Sequence, residues 1–112
     1  MKKLIVLSLG LMAGVQSFGA VLTCTPWNTN ENYNDPVSVN VISGDVISVN
    51  NVELKRDPSY KPKSQANVGF SQYLGDTDKA SGWSDTGSTQ ILFNGKVLKF
   101  SDLGWTDKFD CK

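Results

Sequence analysis

The chain has no histidine. That removes the commonest general acid–base and the commonest metal ligand from its chemistry. Hydrolytic sites built on Ser-His or Cys-His pairs are excluded, and so are ordinary zinc centres. Neither sign of charge is in excess, since Lys and Arg total 11 and Asp and Glu total 11. The sequence therefore lacks the basic footprint of a nucleic-acid or anionic-lipid binder. No window beyond the first twenty residues sustains a 3.6-residue apolar period, so no helix longer than a turn or two is expected there.

What is present begins with an export signal. Lys2 and Lys3 form a positive start, and Leu4 to Val15 form an apolar run interrupted by Ser8, Gly10 and Gly14. Gln16 to Ala20 are polar or small, apart from Phe18. Ser17 and Gly19 suit the third and first positions before a cut ahead of Ala20, whereas a cut ahead of Val21 places Phe18 third. The apolar run is shorter than the roughly 20 residues of a membrane-spanning helix. The expected organisation is a bacterial-type signal peptide over residues 1–20 and one exported domain over 21–112, periplasmic or extracellular. Thr23 stands before Cys24 where lipidation requires a small residue, so no lipid anchor is expected. No second hydrophobic segment follows, so no membrane span is expected after cleavage. Without Lys2 and Lys3 the domain keeps nine basic and eleven acidic residues, a formal charge of −2. A monomer is the default.

The only cysteines, Cys24 and Cys111, lie near the two ends of that domain. Two cysteines in a small exported domain are expected to pair. The chain-entropy account gives roughly 4–5 kcal/mol for closing a loop of this length. A free nucleophilic cysteine would need a base or cation to lower its pKa, and no histidine is available for that.

The domain reads as all-β, a small antiparallel sandwich or barrel of about six to eight short strands. Val37, Val39 and Val41 alternate with Ser38 and Asn40. A loop at Ser43-Gly44-Asp45 pairs Val41 with Ile47 and Val39 with Val49, which keeps the apolar residues on one face. Asn50-Asn51 makes a second tight turn, pairing Val49 with Val52 and Ile47 with Leu54. Asn94-Gly95 lies between apolar runs, and a two-residue turn there pairs Phe93 with Lys96 and Ile91 with Leu98. Ile91, Phe93, Leu98 and Phe100 share the core face. Leu92 and Val97 fall on the other, partly covered face. Shorter strands are expected at Val21–Thr25, Val68–Tyr73 and Asp107–Cys111, with loops over 56–66 and 74–88.

The acids stand mostly in turns. Asp76 to Asp85 alternates oxygen-bearing side chains as a calcium loop does, but the glycine comes one place late and Gly87 stands where the bidentate Glu belongs. No metal or cofactor is therefore expected. Leu74-Gly75-Asp76-Thr77-Asp78-Lys79 is echoed by Leu103-Gly104-Trp105-Thr106-Asp107-Lys108, read here as a recurrent tight turn. The candidate binding residues are Trp83 and Trp105, if displayed on loops, and the positive cluster of Arg56, Tyr60, Lys61 and Lys63. The opposing reading folds each tryptophan back onto the core.

The domain's size and end-to-end cysteines are similar to those of small β-barrel lysozyme inhibitors of the bacterial periplasm. The resemblance covers layout only. The Ser-Gly-x-x-Tyr inhibitory motif of that family has no counterpart in this sequence, and no residue is carried over. The expected function is a non-enzymatic binding or inhibitory module that presents loops 56–66 and 74–88 to a protein partner. The alternative is a carbohydrate- or envelope-binding protein using its loop tryptophans, and a carboxylate-based enzyme is a third option.

Overall fold

Polar–apolar alternation runs through the chain, and in the computed structural model it becomes a ring of strands. Residues 19–82 and 87–112 are described. The expected signal segment up to residue 18, and Trp83 to Thr86, lie outside them. Eight strands follow one another: β1 (Ala20–Pro26), β2 (Val37–Val41), β3 (Val46–Val49), β4 (Val52–Arg56), β5 (Ser71–Leu74), β6 (Gln90–Phe93), β7 (Val97–Asp102) and β8 (Trp105–Cys111). Each pairs antiparallel with the next, and β8 pairs back onto β1 to close a barrel. Of the two expected architectures, the barrel is the one adopted.

Side chains of one parity fill the interior. Val39, Ile47, Val49, Leu54, Ile91, Leu98, Phe100 and Phe109 are all at most 1% exposed. Full burial of side chains this size contributes about 1.5–3 kcal/mol each. The first three-stranded meander has the expected register, with Val39 opposite Val49, Val41 opposite Ile47, and Ile47 opposite Leu54. Asn50 and Asn51 both take positive φ, at 50° and 68°, as the tight turn between β3 and β4 requires.

The β6–β7 hairpin differs from expectation by two residues. Phe93 pairs with Leu98 and Ile91 with Phe100. The Asn94 side chain is the cause: its oxygen accepts the N–H groups of Lys96 and Val97 at 2.8 and 2.7 Å, which draws both into the turn. A shift of two preserves the faces, so the expected core set is still buried.

The sequence echo resolves into two different structures. Gly75 and Gly104 both take positive φ. After Gly75 the chain enters a short helix, α1 (Thr77–Ser81), which Asp76 caps by accepting the Lys79 N–H at 3.1 Å. After Gly104 the same pattern runs straight into β8. Gly75 is also sterically required, because a Cβ there would lie 2.8 Å from Leu54 Cδ2.

Cys24 and Cys111 face each other across the β1–β8 seam and are disulfide-bonded, with Cα atoms 3.9 Å apart. Beside them Thr23 and Lys112 exchange backbone hydrogen bonds of 2.9 and 3.1 Å. Both cysteines belong to the core.

One end of the barrel is plugged by the connection between β1 and β2. Tyr33 packs its ring against Phe100, Trp105 and Phe109, with centroids 5.1, 5.8 and 5.9 Å away. Asp107 holds the plug in place. It faces inward from β8, is 1% exposed, and accepts the backbone N–H groups of Glu31, Asn32 and Tyr33 at 3.1, 2.9 and 2.9 Å. Most acids are expected in turns and Asp107 on a strand; its carboxylate is tolerated inside the barrel because three converging N–H groups replace the water it gives up. Asn30 adds a paired bond to the Lys108 backbone. Asp107→Ala strands those donors, so a loss of about 3 kcal/mol is expected. Thermal unfolding should show it as a fall in Tm of roughly 12–24 °C, whereas an unchanged Tm would mean that the rings and Asn30 hold the plug without Asp107.

Candidate functional site

The outward parity of β5, β6 and β7 is the unusual wall of this barrel. It presents Gln72, Gln90, Leu92, Lys99 and Ser101, and two of these are buried although they face outward. Leu92 is 1% exposed and Lys99 is 6% exposed. The connection between β4 and β5, residues 57–70, lies over this wall as a flap. Lys99 Nζ fastens it, donating to the Ala66 carbonyl at 2.9 Å and Asn67 Oδ1 at 2.7 Å and lying 4.4 Å from the centre of the Phe70 ring. Burial first, and the like charge of Lys108 second, lower the pKa of this ammonium from its ordinary value.

A chain of side chains orders the floor beside the flap. Asp57 Oδ1 accepts from the backbone and hydroxyl of Ser59, at 2.9 and 2.7 Å, closing the turn at Pro58. Gln72 Nε2 donates to Asp57 Oδ2 at 3.1 Å, and Gln90 Nε2 donates to Gln72 Oε1 at 2.8 Å. The carboxylate can only accept, so it fixes the orientation of both amides.

Two clefts meet on this floor. The first, about 610 Å³, lies under the flap and is lined by Tyr60, Lys61, Lys63 and Asn67 with Gln72 and Gln90. The second, about 660 Å³, continues from the same two glutamines to Leu74, Ser88, Asp102 and Leu103. Together they form one groove through the shared glutamines, polar and basic at the flap and mixed at the β7–β8 turn, where Leu74 and Leu103 stand beside Ser88 and Asp102. Leu74 is 49% exposed and Leu103 83%. A separate apolar depression of about 380 Å³ opens at the barrel end opposite the plug, beside Leu22, Val41 and Phe93.

The expected binding residues divide. Tyr60, Lys61 and Lys63 come together in the first cleft. Arg56 instead bonds Asp45 through Nε and Nη2, at 2.8 and 2.7 Å, and braces the β2–β3 turn. Trp105 is half-buried and packs against Tyr33 and the core, as the opposing reading had it. Trp83 lies outside the described residues. Asp76 and Asp78 of the calcium-like run serve α1 and its neighbours: Asp78 accepts the Gly87 N–H, and Asp85 is outside the described residues. Among the described residues no group of His, Cys, Asp or Glu has the arrangement of a metal site.

Sequence reasoning missed Gln72, Gln90, Leu74 and Leu103. The last carries a legible signal, a large apolar residue inside the turn Asp102-Leu103-Gly104. The glutamines become visible only once the parity of β5 and β6 is known.

Asp57 ties the flap to pH. The Ser59 hydroxyl first, then the Ser59 backbone and Gln72, hold its pKa below the ordinary carboxylate value of 3.8. A depressed acid contributes stability above its unfolded-state pKa and loses it as pH falls through the folded value. Amide exchange at Ser59 should therefore accelerate below about pH 4 while interior strands stay protected. Equal loss of protection everywhere would contradict a local role for Asp57.

Compared with known proteins, the chain matches no family model, no curated protein and no solved structure.

Proposed function

We propose that the chain is an exported, non-enzymatic binding module and that the groove over β5–β7 receives a protein partner. The observation that carries this reading is the shared placement of connection 57–70 and of the described parts of connection 75–89, Gly75 to Gly82 and Gly87 to Thr89. Both border the same wall, and their groove brings exposed lysines and exposed leucines together. Protein partners are anchored by such mixed patches, with apolar side chains for energy and charge for orientation.

Several features support the absence of catalysis. The chain has no histidine. Asp57, Asp76 and Asp107, its best-placed carboxylates, are each engaged in holding a turn, a helix end or the plug. Export is supported by the signal-like start and by a buried disulfide of the kind that persists in oxidising compartments. Among the described residues no helix is long and apolar enough to cross a membrane. A glycan is the second reading. It is favoured by the amide floor beside Tyr60, a pairing of planar hydrogen-bonding groups and a ring that suits sugars.

The test is positional. A photo-crosslinking residue is placed at exposed Lys63 in the groove, or at exposed Val21 on the opposite wall, and the secreting cells are irradiated. One dominant protein adduct from position 63 and none from position 21 is the expected result. No adduct from position 63, or equal adducts from both, contradicts a groove-directed protein partner. Retention on purified peptidoglycan or polysaccharide that is lost in Tyr60→Ala would establish the glycan reading in its place.

A further inference from the structure

The groove is not uniform along its length, and that asymmetry specifies the chemistry of what fits it. At the flap end Lys61 and Lys63 are exposed, and neither has a carboxylate partner among the described residues. The one salt bridge among the described residues joins Arg56 to Asp45. At the far end Asp102 accepts the Ser88 hydroxyl and the Leu103 N–H, at 2.5 and 2.7 Å, and shapes the turn that projects Leu103. Asp76, Asp78 and Lys79 lie on the adjoining connection but do not line the cleft, so Asp102 is the carboxylate of that end. Between them Leu74 and Leu103 border the same cleft from β5 and the β7–β8 turn. Strands β5 and β7 are two strand spacings apart, about 10 Å, and Leu103 follows directly on the end of β7, so an entering side chain can reach both leucines.

The floor supplies directional hydrogen bonds. Gln72 and Gln90 each spend one amide N–H on the chain that starts at Asp57. An amide nitrogen carries two hydrogens. The second N–H of each has no acceptor among the described residues, and the Gln90 oxygen has no donor there. Such groups suit the alternating donors and acceptors of an extended backbone.

Accepting the groove as the binding face, we propose that its ligand is a short extended segment of a partner protein with a defined polarity. The segment carries carboxylates against Lys61 and Lys63, backbone amides over Gln72 and Gln90, and an aliphatic or aromatic side chain between Leu74 and Leu103. Asp102 at the far end disfavours the reversed placement, since the segment's carboxylates would then meet it. The exposed lysines act chiefly on encounter and orientation, and the desolvated leucine contact sets the lifetime of the complex.

Selection of a displayed linear-peptide library on the oxidised protein tests this. Enriched peptides are expected to pair Asp or Glu at one end with Leu, Ile, Phe or Met at the other. A fluorescein-labelled enriched peptide should lose about tenfold in affinity in Lys61→Glu/Lys63→Glu, and about tenfold in Leu103→Ser. Its affinity should also fall as salt rises from about 50 to about 300 mM. All three positions are exposed, so the variants keep the fold, as their melting curves should show. Enrichment of basic peptides, no enrichment at all, or affinity unmoved by these variants would overturn the proposal. The broader groove reading has its own readout: crosslinking confined to position 63, alongside peptides insensitive to these substitutions, would retain the groove and reject this ligand chemistry.

Discussion

Closing a sheet into a barrel depends on its last seam, and here that seam joins the two ends of the chain. Seven of the strand pairings link neighbours in sequence, so none needs a connection longer than 15 residues to be ordered. The pairing of β8 with β1 brings together residues 87 positions apart. It is also a short ladder: Cys24 opposite Cys111, Thr25 opposite Asp110 and Pro26 opposite Phe109. A covalent bond at the first of these pairs limits the freedom of the open chain and places the loop-closure cost in the unfolded state. The rest of the interior relies on it, since an open seam would expose the edges of β1 and β8 and uncover Val37, Leu98 and Phe109 on either side.

Within that ring, charge is used to fasten loops to the barrel. Asp107 points inward and gathers three backbone donors of the plug. Lys99 points outward and gathers acceptors from the flap. Among the described residues neither has an oppositely charged side chain bonded to it, and each is satisfied by backbone or amide dipoles. The two fasteners determine what remains available. The plug closes one end of the barrel, and the flap is held against the outer wall. The groove thus arises from packing that stabilises the fold.

Much of the fold was legible because strand parity has a period of two and the core is on one side. Val37 to Leu54 could be placed pair by pair from alternation and turn residues. The β6–β7 register was harder, because the Asn94 side chain competes with the ladder for two N–H groups, and parity is blind to a shift of two. The repeated Leu-Gly-x-Thr-Asp-Lys pattern shows the limit of local sequence. After Gly75 the following residues cap a helix, and after Gly104 they extend a strand, a choice set by the partners each meets. The candidate site was half visible. Tyr60, Lys61 and Lys63 stood out as a cluster in sequence, but Arg56 belonged to Asp45, and the glutamine floor came from two strands 18 residues apart. Trp105 illustrates the ambiguity of loop aromatics: its neighbour Gly104 suggested display, but its parity on β8 turned it toward Tyr33.

The dependence of the barrel on its seam is open to one direct measurement. Thermal unfolding of the oxidised domain is compared with that of Cys24→Ala/Cys111→Ala, which removes the bond without leaving reactive thiols. If the disulfide closes the barrel, the variant should lose roughly 3–5 kcal/mol, a fall in Tm of about 12 °C or more at about 4–8 °C per kcal/mol, or fail to fold. A variant that melts within about 3 °C of the oxidised protein would show that the β1–β8 ladder closes the barrel unaided, and would contradict the account.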